Sequence, residues 1–116
     1  MNKFIERRQY IRVPLTYVTV EVISKSREIE SSETCSVVDI SENGMKIISK
    51  KLYKIRQKLH MTFVLPGNSI PIRAESMVVY QQAHNSLMYT GIQFIKLDLV
   101  EFTLLKKYID QSTEQN

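Results

Sequence analysis

The sequence predicts an all-β fold with one helix: a small six-stranded antiparallel β-barrel plus a C-terminal α-helix. Between residues 15 and 95, apolar and polar residues alternate with a period of two, which is typical of strands with one buried face. Turn residues interrupt this alternation at short intervals. After residue 97 the apolar residues change to helical spacing. Closing six short strands into a barrel would leave no exposed sheet edge.

The alternation and the turn residues predict the six strands in chain order. We expect strands at residues 15–25, 34–40, 45–48, 59–65, 70–81 and 87–95. The polar stretch 26–32 is predicted to be a connection, and the basic stretch 50–58 a loop or a single helical turn. Asn43-Gly44 is a strong signal for a two-residue hairpin loop. Residues 66–68 and 83–86 are predicted to be turns.

The predicted helix has its apolar residues on one face, at Leu99, Phe102, Leu105 and Ile109. Asp98 is expected to cap its N-terminus, with Glu101 closing a capping box. Lys106 and Lys107 are expected to lie near its C-terminus, where positive charge favours the helix dipole. The polar residues 112–116 are expected to form a frayed tail. The helix would cover one end or side of the barrel.

The composition limits the class of protein to which the chain can belong. The chain has 116 residues, of which 43% are hydrophobic, enough for one domain with one core. It contains no apolar run long enough to span a membrane, and its first residues lack the apolar region of a secretion signal. Cys35 is the single cysteine, which fits a reducing, cytoplasmic environment. Its place in an alternating run predicts a buried, inert thiol.

Arginines cluster near the N-terminus. Three of the six arginines, Arg7, Arg8 and Arg12, fall within six residues, whereas the ten lysines are spread more widely. A guanidinium can fork onto two phosphate oxygens, or onto O6 and N7 of guanine. The net charge of +4 also favours an anionic partner. A solvated basic N-terminus is the alternative interpretation.

The segment from Asp39 to Gly44 offers complementary chemistry. The carboxylate of Asp39 could accept hydrogen bonds from the Watson–Crick edge of guanine. The hydroxyl of Ser41, two residues further along an extended chain, would lie on the same side. Gly44 would allow the backbone to turn and a ligand to approach closely. The alternative is a plain hairpin, in which the two polar side chains bond the turn and Asn43-Gly44 supplies positive φ.

Taken together, the two segments resemble the signature of the PilZ domain family, R-x-x-x-R followed by [D/N]-x-S-x-x-G. Arg8 and Arg12 match the first half; Asp39, Ser41 and Gly44 match the second. The Glu6-Arg7-Arg8 lead-in, Val13-Pro14 and residues 90–94 before the helix also look like the family. The resemblance covers nearly the whole chain.

The resemblance implies the barrel-plus-helix fold and a cyclic di-GMP receptor that is not an enzyme and uses no metal or cofactor. Arg8 and Arg12 would then bind the phosphates and guanine Hoogsteen edges, Asp39 and Ser41 would bind the guanine from its other side, and Gly44 would permit close packing. A basic residue at the place of Arg7 implies two ligand molecules per chain. Regulation of bacterial motility, surface attachment and biofilm formation, exopolysaccharide production or virulence is the implied output.

The expected organisation has three parts. Residues 1–14 form an arginine-rich ligand-binding segment, residues 15–111 the barrel with its helix, and residues 112–116 the tail. The first segment has few apolar residues and few carboxylates to offset its repelling arginines, so we expect it to become ordered on ligand binding. With no second domain in the sequence, we expect a protein partner or self-association to carry the signal. The chain is expected to be a monomer or a dimer.

Two other classes of function remain open. A small basic β-barrel could bind single-stranded nucleic acid, although the tyrosines lack the paired arrangement of an RNA-binding sheet and nucleic acid is not expected as partner. A protein–protein adaptor could keep the fold without binding a nucleotide. Catalysis has less support: His60 and His84 have no metal-ligand spacing, and Ser41 lacks the G-x-S-x-G context of a nucleophile.

Overall fold

The computed structural model describes residues 10–114 as a closed antiparallel barrel with one helix. The elements in chain order are β1 (Val13–Pro14), β2 (Thr19–Ser26), β3 (Ile29–Ser41), β4 (Gly44–Ser49), β5 (Lys58–Phe63), β6 (Ile72–His84), β7 (Leu87–Leu97) and α1 (Leu99–Glu114). Within these residues, no helix is long and apolar enough to cross a membrane.

Six strands close the barrel in the order β3-β2-β5-β6-β7-β4, and β4 pairs again with β3. All of these pairings are antiparallel. The two-residue β1 adds to β3 outside the closed ring, because Val13 pairs with Ile40 and Pro14 with Asp39. The predicted fold class, a six-stranded barrel with a C-terminal helix, is therefore confirmed.

Inward-facing residues of every long strand fill the barrel. Alternation along β2 buries Val20 and Val22, and the same period repeats on β5 and β6. Leu105 and Ile109 of α1 belong to this core, so the helix covers part of the barrel with its apolar face. The most deeply buried side chains are Ile40, Met45, Ile47, Leu59, Met61, Leu65, Ile72, Leu105, Ile109, Val20, Val22 and Val78.

Three β-bulges interrupt the strand pairing. One leaves Ile95 of β7 as an extra residue opposite Glu75 and Ser76, and the other two lie in β3 and β6. In β3, Val37 pairs with Ile47 and Asp39 with Lys46, so Val38 is an extra residue between them. In β6, Val78 pairs with Ile92 and Tyr80 with Gly91, so Val79 is extra. Each bulge shifts the alternation by one residue. As a result Asp39 and Tyr80 lie on the outer face, although strict alternation from Val37 and Val78 would turn both inward.

A partly buried network of polar side chains joins β3, β6 and β7 to the loop of residues 50–57. The Gln81 side chain donates to Thr90 Oγ1 at 2.9 Å and accepts from the backbone N–H of Tyr53 at 2.9 Å. Tyr53 in turn donates its hydroxyl to Glu33. The loop contains turns but no helix, which settles the choice that the sequence left open.

Several predicted boundaries were wrong. Strand β3 begins at Ile29, so the predicted connection 26–32 shrinks to a tight turn at Arg27, whose φ of 58° is positive. Residues 15–18 precede β2 rather than belonging to it. The helix continues to Glu114, which places Lys106 and Lys107 in its middle and not in its last turn. Glu101 accepts a hydrogen bond from the Arg73 backbone N–H of β6, at 2.9 Å, instead of capping its own helix.

Candidate functional site

The first site pair is an arginine and a carboxylate brought together by β1. Pairing of Pro14 with Asp39 sets the nearby residue Arg12 beside the outer face of β3. Arg12 Nη1 donates to Asp39 Oδ1 at 2.7 Å. The arginine side chain is 43% exposed and the carboxylate side chain 16%. A guanidinium carries five N–H donors, so this contact leaves donors for an approaching anion.

Ser41 lies on the same outer side of β3 as Asp39 but is engaged by the turn. Its hydroxyl donates to Asn43 Oδ1 at 2.9 Å and accepts from the backbone N–H of Asn43 at 3.3 Å. Ser41 is 1% exposed. Of the two interpretations that the sequence left open, these contacts fit the hairpin interpretation for Ser41, whereas Asp39 bonds Arg12 across the strands.

Gly44 is required by packing within the barrel. It pairs with Ser41 across the two-residue loop Glu42-Asn43, one residue earlier than the predicted Asn43-Gly44 loop. Asn43 is absent from the described residues with positive φ. A Cβ atom at position 44 would overlap the carbonyl oxygen of Ile92 on β7. Close approach of two backbones, and not a special turn conformation, therefore explains this glycine.

The Glu42-Asn43 turn also contacts α1 and β7. Lys106 Nζ lies 3.5 Å from Glu42 Oε2 and 3.4 Å from Asp110 Oδ2. These carboxylates raise the pKa of Lys106, with Asp110 the larger influence. The backbone N–H of Phe94 donates to the Asn43 carbonyl at 2.8 Å. Sequence analysis did not anticipate the Glu42–Lys106 contact, because the two residues are 64 positions apart.

Only some of the predicted site residues lie in the part of the chain that the structure describes. Arg12 and Asp39 are in direct contact, with Ser41 and Gly44 on the adjoining turn. Arg7 and Arg8 lie outside the described residues.

Elsewhere the described residues offer little for catalysis. Burial, assisted by the neighbouring Glu33 carboxylate, raises the pKa of the Cys35 thiol to about 12, so the thiol stays protonated. Within residues 10–114, no three His, Cys, Asp or Glu side chains are grouped so that they could hold a metal ion.

A model of the PilZ domain matches residues 6–111 of the sequence. The chain belongs to the PilZ domain family. The match includes both halves of the signature, from Arg8 and Arg12 to Asp39, Ser41 and Gly44. The family binds cyclic di-GMP as a ligand and not as a cofactor. Comparison with curated proteins finds no match to the chain.

Solved structures support the same fold. The Bacillus subtilis inhibitor of motility MotI/DgrA matches with a TM-score of 0.76 and 17% identity, over 95% of this chain and 52% of that one. The PilZ domain of Escherichia coli YcgR with c-di-GMP matches with a TM-score of 0.70 and 13% identity, over 94% and 93%. The MrkH–c-di-GMP complex of K. pneumonia gives 0.70 and 16%, over 90% and 51%. This chain spans about half the length of MotI/DgrA and MrkH.

Proposed function

We propose that this PilZ domain is a cyclic di-GMP receptor and not an enzyme. The observation that carries the proposal is the Arg12–Asp39 contact, which sets a phosphate-binding cation beside a guanine-reading carboxylate on the outer surface of the barrel. Family membership supports it, as do the related domains whose structures hold c-di-GMP.

In the proposed binding mode, the contact between Arg12 and Asp39 is replaced by several contacts with the ligand. The ion pair with Asp39 holds Arg12 at the site in the free protein, where an exposed pair of this kind contributes about 0–1 kcal/mol. A ligand phosphate would draw the guanidinium into a bidentate contact. Both Asp39 oxygens could then accept from N1–H and N2–H₂ of a guanine. Arg8 is proposed to bind the second phosphate or the guanine Hoogsteen edge.

Ser41 and Gly44 are proposed to act mainly by shaping the surface. The Ser41 hydroxyl already bonds Asn43, so a direct ligand contact would require it to release that partner. Gly44 permits the close approach of β4 to the Ile92 carbonyl. Together they hold the Asp39 end of β3 in place while the arginines supply most of the charge.

Signal output is proposed to pass through residues 1–12. Binding of the ligand phosphates by Arg7, Arg8 and Arg12 would order this segment against β3 and create a surface for a protein partner. With Arg7 in place we propose two cyclic di-GMP molecules per chain. We propose that the protein acts in the bacterial cytoplasm and controls motility or biofilm formation. The likeness to an inhibitor of motility supports the motility output.

Isothermal titration calorimetry with cyclic di-GMP tests the function, with cyclic di-AMP and a single-stranded oligonucleotide as comparisons. We expect saturable binding of cyclic di-GMP, no comparable binding of the adenine analogue, and loss of binding in Arg12→Ala. Binding of the oligonucleotide that falls steeply with salt, in the absence of cyclic di-GMP binding, would favour a nucleic-acid protein instead. Absence of any nucleotide binding would leave the adaptor alternative.

A further inference from the structure

Residues 50–58, the basic loop, connect β4 to β5 and carry a dense cluster of positive charge. They contain five of the 16 Lys and Arg residues of the chain and none of its 12 Asp and Glu residues. This stretch alone therefore carries +5, more than the net charge of +4 of the whole chain. Within residues 10–114, no carboxylate forms an ion pair with these side chains. The five cations are Lys50, Lys51, Lys54, Arg56 and Lys58, and all but Lys51 are exposed.

Polar contacts with the barrel fix the backbone of the basic loop. The Glu33 carboxylate accepts from the Lys50 backbone N–H at 3.0 Å and from the Tyr53 hydroxyl. Tyr53 is buried, so it anchors the middle of the loop. Further backbone N–H groups donate to protein acceptors, namely those of Tyr53, Lys54, Arg56 and Gln57. Because these donors are satisfied within the protein, the loop can leave bulk water without exposing them to an apolar medium.

Two aliphatic side chains project from the same loop. Leu52 is 76% exposed and Ile55 is 56% exposed, and neither belongs to the hydrophobic core. Ile55 and Arg56 form the tip of a four-residue turn that is closed by a backbone hydrogen bond of 3.0 Å. Aliphatic side chains set among cations are typical of segments that lie on membrane surfaces. The aliphatic groups enter the boundary between headgroups and acyl chains, and the cations contact anionic headgroups.

Arg56 adopts a backbone conformation that usually belongs to glycine. Its φ of 75° lies in the left-handed region, which is unfavourable for a residue with a long side chain. Glycine would form the same turn with less strain. The turn therefore does not require the arginine side chain, which is exposed at the tip of the loop beside Ile55. What the side chain adds at this place is a positive charge.

The chemistry of the basic loop favours lipid over other anionic partners. Its single aromatic residue, Tyr53, is buried, so the loop offers no exposed ring on which a nucleic-acid base could stack. A second copy of the chain would place like charges against each other. Four of the five cations are lysines, which act as point charges and need no fixed partner geometry. Such charges suit a fluid layer of headgroups better than the fixed carboxylates of a folded protein.

We propose that the basic loop docks this domain on an anionic lipid surface, with Leu52 and Ile55 at the level of the headgroups and the five cations against lipid phosphates. Glu33, which anchors the loop, and Asp39 are six residues apart on β3, so the loop lies about 20 Å from the Arg12–Asp39 contact. The docking surface is therefore separate from the proposed ligand site. It does not rest on the proposed function.

Flotation with vesicles of phosphatidylglycerol and phosphatidylcholine, compared with pure phosphatidylcholine vesicles, tests the docking without cyclic di-GMP. We expect binding to the anionic vesicles alone, and binding should fall as salt is raised. Arg56→Gly should weaken it about five-fold, the loss expected for one cation near an anionic surface. Its melting temperature should stay the same or rise, because the strain at φ 75° is relieved. Leu52→Gln should weaken binding several-fold although the charge is unchanged.

Matched controls lie on α1. Lys107→Gln removes an exposed cation, and Leu99→Gln removes an aliphatic side chain that is 79% exposed. Neither should change binding to the anionic vesicles. Absence of binding by the unaltered chain, or equal losses in the loop and control variants, would refute the docking.

Three soluble anions separate lipid from other partners. Inorganic phosphate, added at constant ionic strength, should not displace the chain from the vesicles; displacement would assign the loop to free phosphate instead. A single-stranded oligonucleotide and poly-glutamate represent nucleic acids and acidic proteins. If either binds in a way that Arg56→Gly weakens, while anionic vesicles do not bind, the loop recognises that class of partner and the lipid proposal is wrong.

Discussion

Arg12 donates to Asp39 at 2.7 Å, joining two residues that are 27 positions apart in the chain. The contact exists because β1, only two residues long, pairs Pro14 with Asp39 and thereby fixes the position of the Arg12 backbone. The fold of the chain therefore places Arg12, from the arginine half of the PilZ signature, next to Asp39 of the carboxylate half.

Arg12→Ala should weaken cyclic di-GMP binding by at least about ten-fold, because hydrogen bonds to charged groups each contribute about 1.5–3 kcal/mol. The free energy of unfolding without ligand should change by no more than about 1 kcal/mol, since the lost ion pair is exposed. Arg8→Ala should weaken binding in the same way. Calorimetry and chemical denaturation measure the two quantities. Arg27→Ala, in the β2–β3 turn, is the control, and an Arg12→Ala variant with undiminished affinity would argue against the site.

Asp39→Ala should lower affinity and also reduce the preference for cyclic di-GMP over cyclic di-AMP. In the proposed binding mode the carboxylate accepts from guanine's Watson–Crick donors, whereas adenine presents a different pattern of donors and acceptors. Both affinities and the melting temperature should be measured on one preparation. A variant that melts earlier yet keeps its full guanine preference would show that Asp39 supports only the hairpin and Arg12.

Gly44→Ala should destabilise the protein by about 1–3 kcal/mol, because the new methyl group overlaps the Ile92 carbonyl and the two strands must separate. Denaturant unfolding without ligand measures this cost. Affinity at a temperature where the variant remains folded should fall less than in Arg12→Ala. Normal stability combined with lost binding would instead assign Gly44 to close ligand approach.

Cys35 should be unreactive toward thiol reagents at about pH 8 in the folded protein. Burial raises its pKa to about 12, so the thiolate population is negligible at that pH. After unfolding in denaturant, the single thiol of the chain should react at the rate of a free cysteine. Rapid reaction of the folded protein, at a rate independent of denaturant, would contradict a buried thiol.

Hydrogen exchange should locate the proposed ordering. Amides of residues 4–13 should gain protection when cyclic di-GMP is added, while those of β2 and β6 should change little. Arg12→Ala should abolish the gain, because the phosphates lose one of their contacts. Equal protection of residues 4–13 with and without ligand would place the switch elsewhere.

Period-two alternation was enough to predict the barrel, since each strand carries one apolar face and the turns are marked by Gly, Pro and Asn. The alternation could not predict that β3 begins at Ile29. Residues 29–33 are polar or exposed, and they form a strand because they pair with β2. The sequence motifs identified Arg12 and Asp39, which the structure brings together. The contact between Glu42 and Lys106 could not be predicted, because it depends on how α1 packs against the turn after β3.

The sequence alone also could not distinguish the two roles of Ser41. Its spacing from Asp39 correctly predicts a shared side of β3, but whether a hydroxyl faces a ligand or its own turn depends on the position of Asn43. The predicted location of the hairpin was one residue late, because Asn-Gly is a common loop pair whereas here Gly44 is needed for its contact with β7.

The bulges at Val38 and Val79 mean that the direction of each side chain along β3 and β6 depends on chain length as well as on residue type. Each bulge takes up one extra residue opposite a regular partner strand, because the residues on either side of it pair with two consecutive residues of that strand. Deleting Val79 would therefore leave a regular ladder in which Tyr80 still faces outward and Gln81 still faces inward. Deleting Val38 would likewise leave Asp39 facing outward and Ile40 facing inward. A related domain that lacks one of these bulges would present equivalent side chains in the same direction only where a one-residue gap is placed opposite Val38 or Val79.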